Sequence, residues 1–185
     1  MANKFNPQGQ TKVLWVPKDG IADIEAPTAT ELSTDTSGVI DLTCGIMPDG
    51  IEGFSNEPTE VDATTFCSTM AESVPGIPTT TPGALTMARA STSNTDNYTL
   101  FEELKDLVAG REEGYVVMAL DGWGDTDDGP AAGDIVDVFP SLAASINANP
   151  LGGAAIGTYV AGFTHPAPFA LNVSVAGGGG GGVEG

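Results

Sequence analysis

Residues 99–120 read TLFEELKDLVAGREEGYVVMAL, and this stretch decides the fold. Its first half repeats apolar residues at helical spacing. They are Leu100, Phe101, Leu104, Leu107 and Val108. The pattern predicts one amphipathic helix from about Leu100 to Ala109, with Thr99 and Glu102 as a capping box and Gly110 as its stop. Because a helix of about three turns is not stable alone, it must pack against a sheet.

The second half, residues 115–120, is apolar on both faces and predicts a central strand. Short apolar or alternating runs elsewhere, separated by Gly- and Pro-rich breaks, predict further strands. They lie at about 12–16, 39–44, 60–66, 85–90, 135–139, 156–163 and 169–175. We expect Pro140 to end the strand before it. About eight strands and one helix predict a mainly β fold, a two-sheet β-sandwich or barrel with the helix on its flank.

Alternation assigns faces within three of these strands. Asp41 lies on the polar face of the strand at 39–44. Glu60 and Asp62 share one face of the strand at 60–66, with Val61 on the other. In the last strand, Leu171 shares the apolar face with Phe169, Val173 and Val175.

The chain has 25 acidic and six basic residues, a formal net charge of −19 over 185 residues. Proteins hold nucleic acid chiefly through Lys and Arg on phosphates, so this composition argues against a protein that grips DNA or RNA. It also disfavours binding to anionic lipid. The acids are scattered among β-branched and aromatic residues, and 41% of the chain is hydrophobic. We therefore expect a folded protein with an acidic surface rather than a disordered chain.

Targeting and disulfide signals are weak. We expect no membrane span, because no stretch approaches about 18 apolar residues, and no secretory signal, because the first ten residues lack an apolar core. Cys44 and Cys67 are too few for a disulfide scaffold. We expect both thiols to be buried or half-buried, with an internal or intersubunit disulfide as the alternative.

Candidate chemistry is limited to two places. The loop from Asp121 to Gly129 is rich in aspartate, but its spacing does not match a calcium-binding EF-hand loop. We interpret it as a solvated acidic turn, with a divalent-cation site as the alternative. His165, the single histidine, lacks a nucleophile motif and is interpreted as a strand-connection residue. We predict no catalytic residue, metal ligand or cofactor, and we do not expect an enzyme.

Three groups of segments carry a resemblance to a known family. They are residues 60–67, 73–76 and 84–90; the helix at 100–110 with the strand at 114–119; and the opening at 13–17, 26–28, 31–32 and 41–44. In these segments and their order, the chain resembles the major tail (tail tube) proteins of long-tailed, non-contractile bacteriophages, especially those that infect actinobacteria. The resemblance covers about residues 11–175. It implies a structural virion protein of the phage tail, assembled in the host cytoplasm.

The resemblance also implies an assembly. Hexameric rings would join their sheets edge to edge and stack into a tube, and such closure suits edge strands, which otherwise invite further pairing. The implied partners are other copies of this chain and the tape-measure, distal-tail and tail-terminator proteins. Candidate segments for contacts between rings are residues 1–10, 45–58, 68–83 and 177–185.

The implied function is to conduct double-stranded DNA into the host without binding it specifically. An acidic lumen suits this function because like charges repel. The candidate lumen-facing acids are Asp41, Glu60 and Asp62, each on the polar face of its predicted strand. The alternative for each residue is an ordinary solvent-facing position.

We expect a single domain over residues 1–176, whose first ten residues form an N-terminal arm, and a flexible Gly-rich tail at 177–185. Two other classes of protein stay open. One is an immunoglobulin-like capsid or surface decoration or binding module, which needs neither a mid-chain helix nor a ring. The other is a calcium-dependent adhesive domain that uses the Asp121 loop, against which the missing secretory signal counts.

Overall fold

The computed structural model describes residues 11–57, 59–64, 73–77, 79–90, 96–123, 129–149 and 157–177. Within these residues it contains twelve β-strands and one α-helix. The strands are β1 (Lys12–Pro17), β2 (Ile40–Asp41), β3 (Ile46–Glu52), β4 (Ser55–Glu57), β5 (Glu60–Asp62), β6 (Ser73–Pro75), β7 (Thr79–Thr81), β8 (Gly83–Ala88), β9 (Glu113–Ala119), β10 (Ile135–Asn149), β11 (Thr158–Thr164) and β12 (Ala170–Ser174). Helix α1 spans Asp96–Gly110. The predicted fold class, mainly β with one helix, is confirmed.

Eight strands form one antiparallel sheet in the order β2-β1-β9-β10-β11-β8-β3, with β12 as a further partner of β10. The long strand β10 pairs with β9 over residues 137–142 and with β11 over residues 142–149. It therefore joins the two halves of the sheet. Two separate two-stranded sheets, β4–β7 and β5–β6, lie outside this order.

One hydrophobic cluster is built from both halves of the sheet. Its buried members are Val13, Trp15, Leu42, Phe54, Leu85, Met87, Phe101, Leu104, Val116, Met118, Phe139, Ala143, Tyr159, Ala161 and Phe163. These residues come from β1, β8, β9, β10, β11 and α1, together with two connecting segments. Because β1 and β8 are far apart in the strand order, the sheet must curl around this core.

A second cluster covers the opposite face of β1, β9 and β10. The strand residues that face it include Leu14, Val117 and Val138, and the connection between β1 and β2 covers them with Ile21 and Leu32. Residues 115–120 were predicted to form a strand buried on both faces. Strand β9 confirms this, since its side chains alternate between the two clusters.

Helix α1 starts one turn earlier than predicted. The apolar stripe is confirmed, because Phe101 and Leu104 are buried in the first cluster. The predicted capping box is wrong, because Asp96 opens the helix and Thr99 is its fourth residue. Glu102 instead pairs with Lys105 one turn later.

The C-terminal end of α1 also differs from the prediction. Gly110 is still helical, and the left-handed position falls on Arg111, which has a φ of 52°. The Arg111 amide donates to the Val108 carbonyl (3.1 Å), and the Glu112 amide donates to the Leu107 carbonyl (2.9 Å). This pair of bonds is a Schellman motif, and it caps the helix with an arginine where glycine is usual.

Pro140 does not end its strand, which corrects the prediction. Strand β10 continues through Pro140, which lies opposite Tyr115 of β9. On the other side, pairing with β12 stops at Val138 and pairing with β11 starts at Leu142. Pro140 therefore lies in a gap between two partner strands, where its missing N–H breaks no ladder on that side.

The predicted alternation fails in β12 at one residue. Asn172 has a φ of 55°, and its amide donates to Asp137 Oδ1 at 2.7 Å. The turned backbone leaves Leu171 55% exposed, while Ala170 is buried in the second cluster. The assignment of Leu171 to the apolar face was therefore wrong.

Cys44 contradicts the expectation of a buried thiol. It lies in the short 3-10 turn at residues 43–45, where its thiol is free and exposed. Cys67 lies outside the described residues. Among the described residues, no helix is both long enough and apolar enough to cross a membrane.

Candidate functional site

The chain makes an excursion from the main sheet between β3 and β8. After Glu52 it forms the two-stranded sheets β4–β7 and β5–β6, and at Gly83 it rejoins the main sheet. We call residues 55–81 the hairpin arm; of these, the structure describes 55–57, 59–64, 73–77 and 79–81. The pairing is antiparallel in both sheets, so β4 and β7 form the base and β5 and β6 the outer part.

The outer part of the hairpin arm has no buried face. Every residue of β5 and β6 is exposed. Val61 and Val74 are cross-strand partners with 53% and 47% of their surface exposed, and Ile77 is 87% exposed. A two-stranded hairpin is marginally stable in water, and here its apolar side chains gain nothing from the core. This surface is suited to be covered by another chain.

The root of the hairpin arm is anchored by one aromatic residue. Phe54 is 9% exposed and packs against Phe139, with ring centroids 5.1 Å apart. A Cβ on Gly53 would meet the Pro82 carbonyl oxygen at 2.1 Å, and a Cβ on Gly83 would meet the Phe54 ring at 2.3 Å. The two glycines are therefore needed where the chain leaves the sheet and returns to it.

The main sheet has two terminal strands, β2 and β3. Strand β2 pairs with β1 over two residues, and the ladder between β3 and β8 is interrupted between Ile46 and Ile51. Within that interruption Asp49 has a φ of 60°. Both outer strands are short or irregular, and such edges offer backbone groups to a further strand only over a short length.

The structure places the three candidate lumen acids on two different elements. Asp41 is exposed on β2, and its Oδ1 accepts a hydrogen bond from the Thr43 amide at 2.8 Å. Glu60 and Asp62 are exposed on β5, in the outer part of the hairpin arm. Hydrogen bonds from the Thr64 hydroxyl and then the Thr64 amide lower the pKa of Asp62. All three acids are therefore available on the surface, but in separate sheets.

Most of the few Lys and Arg side chains in the described residues already contact a carboxylate or an aromatic ring. Lys18 pairs with Glu113, and Lys105 with Glu102. The Arg89 guanidinium lies 4.5 Å from the centroid of the Phe101 ring. These contacts leave little positive charge with which the described surface could hold phosphate.

The other two candidate sites have different outcomes. Of the loop from Asp121 to Gly129, residues 124–128 lie outside the described residues. Across the part of the chain that the structure describes, no three Asp, Glu, His or Cys side chains are grouped as metal ligands would be. His165 lies between β11 and β12, the strand connection expected from the sequence.

Sequence reasoning missed the exposed apolar residues of the hairpin arm. The available signal was weak: Val61, Val74 and Ile77 stand within a stretch rich in Thr, Ser and Pro. Alternation placed Val61 opposite Glu60 and Asp62, which suggested one covered face. The structure instead separates the hairpin from the core and exposes both faces.

The fold is shared with two solved structures. A chain of the anti-feeding prophage (AFP) baseplate aligns with a TM-score of 0.55 and 11% identity, covering 86% of this chain and 90% of that chain. A chain of the PVC sheath–tube complex, an extracellular contractile injection system in its extended state, aligns with a TM-score of 0.50 and 9% identity, covering 83% and 82%. At these identities the likeness shows the fold alone. No curated protein matches the sequence.

The fold is thus one that also occurs in a prophage baseplate and in the sheath–tube complex of a contractile injection system. The chain belongs to the phage tail tube protein family, which its sequence matches over residues 1–178. It is therefore a structural protein of the phage tail tube and a component of the virion. The resemblance to tail tube proteins is confirmed, while the narrower group of non-contractile actinobacteriophages stays a prediction.

Proposed function

We propose that this chain polymerises as stacked hexameric rings into a phage tail tube that conducts double-stranded DNA into the host. One observation carries the proposal: the hairpin arm extends from the main sheet with an exposed apolar surface, Val61, Val74 and Ile77. Large exposed apolar side chains grouped on one element are typical of interaction surfaces. In the proposed tube, this surface packs on a neighbouring copy.

The sheet edges support the ring. Strands β2 and β3 stand at the two ends of the strand order, so one chain can present β2 to the β3 side of the next. Such a head-to-tail contact closes when the rotation between copies divides a full turn, and a ring leaves no free edge. We propose a six-fold rotation, in agreement with the family resemblance.

The charge supports passage of DNA without specific binding. Each chain carries a formal net charge of −19, and a ring of six carries six times as much. We propose that Asp41, Glu60 and Asp62 face the lumen, where they repel the phosphate backbone. A specific DNA site would instead need clustered Lys and Arg.

The remaining partners follow from the proposed place in the tail. Tape-measure, distal-tail and tail-terminator proteins would set the length of the tube and close its ends, and assembly would take place in the host cytoplasm. Candidate segments for contacts between rings stay residues 1–10, 45–58, 68–83 and 177–185. Of these, residues 1–10 and 178–185 lie outside the described residues.

The test is electron microscopy of the purified full chain, alone and with its tape-measure protein. We expect tubes with six-fold symmetry. Val74→Asp should abolish them because it places a charge in the proposed contact, while the matched control Val74→Ile should polymerise like the wild type. Urea unfolding of both unassembled variants should match the wild type, since Val74 is exposed. Tubes of normal yield from Val74→Asp would contradict the role of the hairpin arm, and rings of another symmetry would contradict the hexamer.

A further inference from the structure

His165 lies in the gap that β11 and β12 leave beside Pro140. Its Nε2 is 3.1 Å from the amide nitrogen of Gly83, and its Nδ1 is 3.1 Å from the Pro140 carbonyl oxygen. The Ser141 hydroxyl oxygen lies 3.3 Å from Nδ1 and donates its own proton to the Phe139 carbonyl. A backbone amide can only donate, so Nε2 must accept. The ring is therefore neutral, with its proton on Nδ1 donated to Pro140.

Three aromatic rings surround the imidazole. The centroid of the His165 ring is 4.8 Å from that of Phe169, 5.2 Å from that of Phe54 and 6.4 Å from that of Phe139. Phe54 immediately precedes the hairpin arm, and Gly83 begins the strand that follows it. One side chain thus contacts both the point where the chain leaves the main sheet and the point where it returns.

We propose that His165 is a latch that positions the root of the hairpin arm, and that its protonation opens the latch. In the imidazolium both ring nitrogens carry protons, so Nε2 can no longer accept from Gly83. The amide of Gly83 then faces another donor, and β8 loses its hydrogen bond to His165 in the β11–β12 connection. That an open latch also weakens the tube rests on the proposed function, in which the hairpin arm contacts another copy.

The pKa of His165 is shifted by its burial and by its hydrogen bond to Pro140, not by nearby charged residues. The contacting groups on the neighbouring elements, Phe54, Gly83, Pro140, Ser141 and Phe169, carry no charge at any ordinary pH. Asp49, Glu52, Glu57 and Asp137 are the charged residues of β3, β4 and β10, and none of them shifts the His165 pKa. Burial lowers that pKa, and the Pro140 carbonyl opposes the effect only in part.

The direction of the pH effect follows from this shift. The folded-state pKa is below the ordinary histidine value of about 6.5. As pH falls below that ordinary value, the unfolded chain binds a proton at His165 before the folded chain does. His165 therefore stabilises the fold above the ordinary pKa, and this contribution is lost as pH falls toward the lower folded-state pKa. The latch is therefore closed at neutral pH and opens under acid.

The test is amide hydrogen exchange of Gly83, read by NMR on the unassembled full chain. The nitrogen chemical shifts of His165 report its charge state. Protection factors at about pH 7.5, and at an acid pH where those shifts show the imidazolium, compare the two charge states. We expect the Nδ1-protonated tautomer at the higher pH, and a loss of Gly83 protection of about tenfold as the imidazole titrates, the scale of one lost hydrogen bond.

Two variants distinguish the effect of the hydrogen-bond acceptor on His165 from the effect of its aromatic packing. His165→Gln keeps a carbonyl acceptor that does not titrate, so Gly83 should stay protected at both pH values. His165→Phe keeps an aromatic ring without an acceptor, so Gly83 should exchange fast at both. If the Phe variant does not fold, the comparison of wild type with His165→Gln still decides. Gly83 protection that does not change while His165 titrates would overturn the latch.

Tube formation is read separately by sedimentation at the same two pH values. Weaker assembly of the wild type at acid pH, with pH-independent assembly of His165→Gln, would support the link between latch and tube. Absence of tubes in every condition would contradict the proposed function while leaving the exchange result for Gly83 intact.

Discussion

Trp15 on β1 and Phe163 on β11 lie with their ring centroids 5.8 Å apart. Strands β9 and β10 separate β1 from β11 in the sheet, and three strand spacings in a flat sheet are about 14 Å. The contact is possible only because the sheet curls until its two halves face each other. The hairpin arm takes no part in this closure, so the body of the protein and its proposed contact surface have separate sources of stability.

Phe163 should be important for stability because it is 1% exposed at this closure. We expect Phe163→Ala to lower the free energy of unfolding by about 3–5 kcal/mol, the usual cost of a large cavity in a core. Urea unfolding monitored by tryptophan fluorescence measures it. Ile77→Ala is the control, since Ile77 is 87% exposed and should change stability little. Equal costs for the two variants would contradict the curled core.

Glu31 should make the connection between β1 and β2 sensitive to acid. Partial burial acts to raise its pKa, but hydrogen bonds from the Thr28 amide, the Ala22 amide and the Thr28 hydroxyl together lower it. Stability from this group is therefore present above the unfolded-state pKa and is lost as pH falls through the lower folded-state pKa. Glu31→Gln should cost about 1 kcal/mol near neutral pH.

The same difference should shrink as pH falls through the lowered folded-state pKa of Glu31, because wild-type Glu31 then becomes protonated as well. Urea unfolding of both proteins over a pH series measures this. Glu25→Gln, at an exposed carboxylate of the same connection, is the control and should change little at any pH. A cost for Glu31→Gln that is constant with pH would rule out the charged hydrogen bonds as its source.

Arg111 offers a stabilising substitution. Its φ of 52° is a left-handed conformation that side chains disfavour and glycine accepts. We expect Arg111→Gly to raise the free energy of unfolding by about 0.5–1 kcal/mol. Arg111→Ala removes the same charge without relieving the backbone, so it should not stabilise. If both variants behave alike in thermal unfolding, charge rather than backbone conformation governs this position.

Reversal of the candidate lumen charges should make assembled tubes hold DNA. We expect tubes of Glu60→Lys with Asp62→Lys to bind double-stranded DNA, with an affinity that falls steeply as salt rises. Wild-type tubes should not bind it. Glu103→Lys on the exposed face of α1 is the control. DNA binding by the control tubes equal to that of the double variant would argue against a lumenal position for Glu60 and Asp62.

The capping-box motif shows what a local sequence pattern can predict and what depends on tertiary packing. Thr28 and Glu31 have the capping-box spacing, as do Thr99 and Glu102. In the structure the reciprocal bonds form at the first pair: the Glu31 carboxylate accepts from the Thr28 amide at 2.7 Å, and the Thr28 hydroxyl accepts from the Glu31 amide at 3.3 Å. Only the second pair was predicted, because it preceded an apolar stripe. The motif marks a possible turn, and the packing around it decides whether the turn forms.

The sequence by itself determined the strand-rich fold, the amphipathic helix with Phe101 and Leu104 inward, and the doubly buried strand β9, because each depends on the spacing of apolar residues along a few turns or pleats. It also determined the acidic charge and the tail-tube character. Only the tertiary structure decided that Pro140 continues a strand, that Val61 and Val74 stay uncovered, and that His165 meets Phe54 and Gly83. These features depend on which strands pair and where a partner ends, and residues more than 80 positions apart are brought together by that register rather than by any local pattern.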